Sequence, residues 1–216
     1  MADQWHFYDR QAIDEMEKRF RAQFINALPG FRAVNLVGTV DEQGLTNLSI
    51  KSSVVHLGSN PPLLGLVVRP GTVPRHSLDN IMDTGHYTLN HLAPSFYTQG
   101  HQTSAKYPRE VSEFEAVGLT PWFHDDFPAP YVKESPFRIG LRFLQKIDIT
   151  LNGTHFIIGE VLQIHSRVPP GEKGFLNLEK TGTIAGSGLD AYYEARLLGR
   201  LSYAKPDQPL EFLNDD

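Results

Sequence analysis

FRIGLRFLQKIDITLNGTHFIIGEVLQIHS, residues 137–166, carries the most regular pattern in the chain. Phe137, Ile139, Leu141, Phe143, Ile147, Ile149 and Leu151 alternate with mainly polar residues. Alternation with period two marks a strand with one buried face. Asn152-Gly153 then supplies the residue pair that a two-residue type I′ turn requires. That turn pairs Leu151 with Thr154 and sets Ile149 opposite Phe156, Ile147 opposite Ile158 and Phe143 opposite Leu162, so both strands share an apolar face. Gln145 opposite Glu160 interrupts the face and marks a barrel end or a polar contact.

Outward from this hairpin, the strand pattern repeats. Residues 32–40 read as a strand, 41–44 as a turn and 45–56 as a returning strand. Asn60-Pro61-Pro62 breaks the chain before 63–69, an apolar run short enough for a buried strand. Residues 79–83 fit a short helix ending at Gly85, and 87–92 a further strand. Residues 94–105 and 112–116 read as short helical connections, 121–136 with its four prolines as an ordered loop, and 191–198 as a helix. Near the N-terminus, Asp9 caps a helix over about 9–28, with Ile13, Met16, Phe20 and Phe24 on one face and Pro29-Gly30 at its end. That face suits the barrel or a partner subunit, core packing being the plainer reading. Many strands, few helices and no regular βα alternation predict a mainly β protein, a closed or partly closed antiparallel barrel with peripheral helices rather than a doubly wound sheet. A single domain over 1–216 is expected, with a C-terminal extension from about 170.

The 216 residues are 40% hydrophobic, enough for one sizeable core. Lys plus Arg total 20 against 25 Asp plus Glu, a net charge of -5 that offers no broad positive field to a nucleic acid. Cysteine is absent, which excludes disulfides, thiolate metal sites, iron–sulfur clusters and thiol nucleophiles. MADQWHFYDRQ lacks the basic and apolar regions of a signal peptide, and no run of about 18 apolar residues occurs. The expectation is a cytoplasmic protein that does not enter a membrane.

Gly186-Ser187-Gly188-Leu189-Asp190-Ala191 fits G-x-G-x-x-A, but a dinucleotide-binding turn opens an early βαβ unit. A flexible connection ahead of the 191–198 helix is the better reading. Nine histidines show no metal-binding spacing, and no G-x-S-x-G surrounds a serine. The segment 46–53, TNLSIKSS, gathers hydroxyls, an amide and an ammonium on one strand. Phosphate recognition needs such donors, although an edge strand with a solvated face has the same composition. Arg69, Thr72, Arg75, His76 and Ser77 form a second polar and basic group between a strand and a helix, where a helix N-terminus adds its dipole. Alone, the first group is equally well a solvated edge strand and the second reads as an ordinary solvated loop; together they outline a phosphate site.

The order of these residues resembles that of the flavin-reductase-like family of FMN-binding split barrels. Gly44, Asn47, Ser49, Ser52 and Ser53 carry the likeness, followed by Pro61-Pro62-Leu63, Thr72, Asn80-Ile81, Thr84-Gly85, Tyr87 and Asn90. SEFEAVGLT at 112–120 and Ile158-Gly159-Glu160-Val161 extend it. Similarity runs over about 32–168, with an echo at 198–203. The resemblance implies a split β-barrel, antiparallel and of Greek-key type, a homodimer and FMN near the subunit interface. It implies that Asn47, Leu48, Ser49, Ile50, Lys51, Ser52 and Ser53 wrap the flavin and its ribityl phosphate. Arg69, Thr72, His76 and Ser77 complete those contacts, with Lys106 and Tyr107 as additions.

Members of the family reduce flavin with NADH or NADPH, or act as flavin-carrying electron-transfer proteins. The expected function is an FMN-dependent flavin reductase, whose hydride chemistry belongs to the cofactor and requires no catalytic triad. An electron-transfer role with a redox partner protein, or a barrel holding another cofactor such as haem, stay open. Residues 181–203 contain no counterpart of the histidine-centred segment that seats nicotinamide in many two-component reductases, so the resemblance leaves the donor open.

Overall fold

The computed structural model describes residues 5–70 and 76–214. Two short helices, α1 (Arg10–Glu15) and α2 (Lys18–Ala27), precede the strands. Asp9 caps α1 as expected, its Oδ1 accepting from the Ala12 N–H at 2.8 Å. The single helix predicted there is broken, because Met16 is extended (ψ 140°) and Glu17 starts a new helix by accepting from the Arg19 and Phe20 N–H groups. Neither helix buries a residue, so the stripe Ile13, Met16, Phe20, Phe24 is not core packing within this chain.

Seven strands form the main sheet: β2 (Asn35–Val40), β3 (Thr46–Lys51), β4 (Val54–Ser59), β5 (Pro62–Val68), β6 (His86–His91), β9 (Phe137–Ile149) and β10 (Thr154–Ser166). Their order is β3-β2-β6-β9-β10-β5-β4, antiparallel at every pairing. Strands β3 and β4 are therefore the two edges, joined by Ser52-Ser53 and not by a ladder. The continuous strand predicted over 45–56 is in fact these two strands. Each needs a different neighbour, so the chain must leave one ladder before entering the next, and the barrel is split at this point.

The β9–β10 hairpin forms, in a different register from the expected one. Ile149 faces Thr154, Ile147 faces Phe156 and Phe143 faces Gly159, with bulges between Ile158 and Gly159 and between Val161 and Gln163. The turn holds four residues, Thr150 to Gly153, and only Gly153 takes a positive φ (71°). A type I′ turn needs positive φ at both central residues. Here Asn152 Oδ1 instead accepts from Thr154, at 3.1 Å from N and 2.7 Å from Oγ1. Leu151 is consequently left 97% exposed, and Glu160 pairs with Arg142 rather than meeting Gln145.

The barrel interior packs Val37, Leu66, Val68, Tyr87, Leu89, Leu141 and Ile157. Leu78 and Ile81 of α3 (His76–Thr84) close it. A second cluster lies on the other face of β2 and β3, where Leu36 and Leu48 meet Phe96 and Phe114. Here α4 (Tyr97–Gln102) and α5 (Glu113–Val117) cover the sheet. The proline-rich segment is ordered, with a two-stranded ribbon of β7 (Pro121–Trp122) and β8 (Tyr131–Val132). Residues 191–198 are not helical. A three-stranded sheet joins β1 (Arg32–Ala33), β11 (Ile184–Ser187) and β12 (Ala191–Glu194), and Gly188 to Asp190 make its hairpin turn. Tyr192 and Tyr193, aromatic and suited to a pleated surface, override the helical reading. A last ribbon pairs β13 (Arg200–Leu201) with β14 (Phe212–Leu213). Among the described residues no helix is long and apolar enough to cross a membrane.

Candidate functional site

Along β3 the side chains alternate, and the alternation divides its polar and apolar work. Asn47, Ser49 and Lys51 share the face toward α3, while Leu48 and Ile50 turn to the cluster under α4 and α5. One edge of β3 pairs with β2; the other is free. The Leu48 N–H leaves the strand on the free side, donating to Glu113 Oε2 at 3.0 Å. By the same two-residue alternation the Ile50 N–H points to that side as well. A cavity of about 1020 Å³ lies along this edge.

A connected set of hydrogen bonds lines one wall. Asn47 Nδ2 donates to Glu113 Oε2 at 2.6 Å, and Asn47 Oδ1 accepts from Ser77 Oγ at 2.7 Å. The Ser77 and Ser49 hydroxyl oxygens are 2.7 Å apart, and Lys51 Nζ donates to Ser49 Oγ at 3.0 Å. Glu113 is only 6% exposed, lines the cavity, and has no cation within ion-pair distance among the described residues' pairs. Two donors on one oxygen make up for its lost hydration. Ser53 is committed elsewhere, its hydroxyl donating to the Val67 carbonyl at 2.9 Å and tying the β3–β4 junction to β5.

The rest of the wall is cationic. Arg32, Lys51, Arg69, Lys106 and Arg109 line the cavity, against Glu113 and Asp190. Burial, and then the charge of Arg69, lower the Arg32 pKa. Arg32 Nη2 is anchored on Asn26 Oδ1 at 2.6 Å and the Gly188 carbonyl at 2.7 Å. The β11–β12 turn is thereby brought to the cavity, with Gln23 Nε2 donating to Asp190 Oδ1 at 2.7 Å. Tyr192 meets His101 Nδ1 at 2.7 Å, and burial followed by Asp190 raises its phenol. A chain of net charge -5 thus concentrates positive charge at one place, which favours an anionic ligand group.

Of the residues expected to bind the cofactor, Asn47, Ser49, Ile50, Lys51, Ser52, Ser53, Arg69, His76, Ser77, Lys106 and Tyr107 line this one cavity. Leu48 does not. Its side chain is fully buried in the cluster under α4 and α5 and its N–H is taken by Glu113, because an edge strand covered on both faces sends alternate residues to opposite sides. Thr72 and Arg75 lie outside the described residues. Sequence reasoning missed Glu113, Arg32 and the 186–192 turn. The signal for Glu113 was an acid between Ser112 and Phe114 in an otherwise amphipathic segment. For the turn there was none, since its approach depends on β1 pairing with β11 across some 150 residues.

The chain is an antiparallel split barrel with a cation-rich cavity on its open edge, and comparison with known proteins gives its family. It belongs to the flavin reductase like domain family, whose model matches residues 31–181. A split-barrel protein from Shewanella frigidimarina NCIMB 400, assigned to the flavin reductases, is 48% identical with TM-score 0.90, covering 93% of this chain and 100% of that one. Nitrilotriacetate monooxygenase component B from Bacillus cereus shares the fold at 21% identity and TM-score 0.80, over 93% of this chain and 100% of its own. An uncharacterized Aquifex aeolicus protein is 27% identical over 173 residues, 79% of this chain and 80% of its own. The chain is a flavin-related oxidoreductase of this family.

Proposed function

We propose that the protein binds FMN along the free edge of β3 and uses it to pass electrons from NADH or NADPH to free flavin or another acceptor. The observation that carries this reading is the cation-rich cavity on an unpaired strand edge. Its volume of about 1020 Å³ lies at the top of the range for small-molecule sites and leaves room for a second ring beside the flavin. The residues present fit the cofactor. The Ile50 N–H and its neighbours on the edge offer donors to the ring's polar atoms, while the positive wall and the start of α3 suit a phosphate dianion.

Bound there, FMN would supply the hydride-accepting chemistry. The protein's part is to orient the ring against β3, neutralise the phosphate through Lys51 and Arg69 with a hydrogen bond from Ser52, and hold the donor close by. His76, Lys106 and Tyr107 complete the wall. The supporting relatives include flavoredoxin from Desulfovibrio vulgaris (Miyazaki F), which shares the fold.

A homodimer fits the same reading. Leu144, Ile147, Leu162 and Ile164 are exposed on neighbouring strands β9 and β10, and α1 and α2 bury nothing within the chain. A second copy would cover such a surface.

Two measurements test the proposal. Mass spectrometry of the chromophore released on denaturation should identify FMN; release of haem, or of no chromophore together with no FMN binding, counts against it. Anaerobic addition of NADH or NADPH should then bleach the flavin band. A yellow protein inert to both nucleotides but reduced by a protein donor would favour the electron-transfer role, the reading supported by the absence of histidine from residues 181–203.

A further inference from the structure

The hydrogen bonds on the cavity wall have a direction, and it restricts what the serines can do. Glu113 Oε2 also receives the Leu48 N–H, so it acts as an acceptor and Asn47 must present its amide N–H to it. The other end of that amide, Oδ1, can only accept, so the Ser77 proton is spent on it. A hydroxyl has one proton. At the 2.7 Å contact between Ser77 and Ser49, Ser49 is therefore the donor. Its own oxygen then receives a proton from the Lys51 ammonium, which has donors and no acceptor. Every bond from Lys51 through Ser49, Ser77 and Asn47 to Glu113 points the same way, from a cation to a carboxylate. The end charges favour that direction and each bond polarises the next.

We infer that this polarised chain makes Ser49 and Ser77 acceptors toward the ligand, so that they select the hydroxyl-bearing ribityl segment of a flavin and do not donate to its phosphate. The inference rests on the flavin reading above. The Ser53 proton is spent on Val67 in the same way. Ser52 is the serine of this group whose hydroxyl has no hydrogen-bond partner among the described residues, and it lines the cavity, so it is the hydroxyl able to donate to a phosphate oxygen. Four serines that look alike in the sequence thus divide into two chemical kinds. Glu113 and Asn47 act as positioning residues, setting the direction without themselves choosing the ligand.

Three flavins separate these roles: lumiflavin has no ribityl chain, riboflavin has the chain without phosphate, and FMN has both. Affinities for Ser49→Ala, Ser77→Ala and Ser52→Ala, measured by quenching of flavin fluorescence, give the test, with thermal melting of the flavin-free proteins as the control on folding. Ser49→Ala and Ser77→Ala should weaken riboflavin and FMN by the same factor, about tenfold, and leave lumiflavin unchanged. Ser52→Ala should weaken FMN alone. A loss confined to FMN in Ser49→Ala or Ser77→Ala would show that these hydroxyls donate to phosphate and would overturn the inference. So would an equal loss for lumiflavin, which marks a structural role, or no loss for any flavin. A wild-type protein that binds none of the three removes the flavin reading itself; failure of the polarity alone is distinct, since the wild type then binds FMN and only the variants break the pattern.

Discussion

Gly38 shows how little freedom a single position in this barrel has. A Cβ added there would lie 2.2 Å from the Pro130 carbonyl oxygen and 2.6 Å from Thr88 Oγ1. Thr88 already donates to that carbonyl at 2.6 Å, so neither neighbour can retreat. Gly38→Ala is predicted to cost about 1–3 kcal/mol or more, measurable as a lower midpoint in urea. His91 sets a pH dependence. Burial pushes its pKa down from 6.5 to about 4, with Nδ1 placed 3.0 Å from Thr183 Oγ1 and the ring against Phe137. The folded state keeps the ring neutral while the unfolded chain takes up a proton below its own pKa. Stability is thus whole above pH 6.5 and is lost as the pH falls toward 4, by about 2 kcal/mol near pH 5. Denaturant melts across that window should show the loss, and His91→Gln should flatten it.

Among the elements, the contact of α5 with β3 matters most to the site. Glu113 reaches from α5 to the free edge of β3 and satisfies two donors there. Glu113→Ala strands the Asn47 amide and the Leu48 N–H, at a predicted cost of about 2–4 kcal/mol for two unsatisfied buried donors. Glu113→Gln keeps an acceptor oxygen and should lose much less; equal destabilisation of the two in calorimetry would mean that the charge, not the hydrogen bonds, holds α5 down. The β9–β10 hairpin teaches a different lesson. Its strands and its turn position were visible in the alternation and in Asn152-Gly153. The register was not, because the turn took four residues and two bulges moved the later pairs. Local turn preference is worth little against the packing of two 13-residue strands into a curved sheet.

For the whole molecule, the proposed dimer follows from apolar surface that the chain does not cover by itself. Ile164 is 61% exposed and Leu162 46%. Replacing both with Glu should leave the fold intact, as exposed strand positions do not support the core. In sedimentation the double variant should run as a monomer where the wild type runs as a dimer. Unchanged sedimentation would move the interface elsewhere, to α1 and α2 first. Weakened FMN binding in the monomeric variant would place the cofactor against both subunits.

By itself the sequence determined that the chain is mainly β and where most strands lie, and it grouped 46–53 with 69–77 as candidate ligand contacts, because period-two burial and clustered donors are local properties. The structure changed what those segments mean. It cut 45–56 at Ser52-Ser53, sent Leu48 into the core, and brought Arg32, Glu113 and the 186–192 turn to the same cavity. These depend on strand order and on contacts between residues far apart in the chain, such as Arg32 opposite Gly186, and no window along the chain contains both partners. Hydrogen-bond direction belongs to the same category. That Ser49 spends its proton on Ser77 and turns an acceptor to the ligand is decided by a carboxylate more than sixty residues away, reached only once α5 packs on the open edge of the barrel.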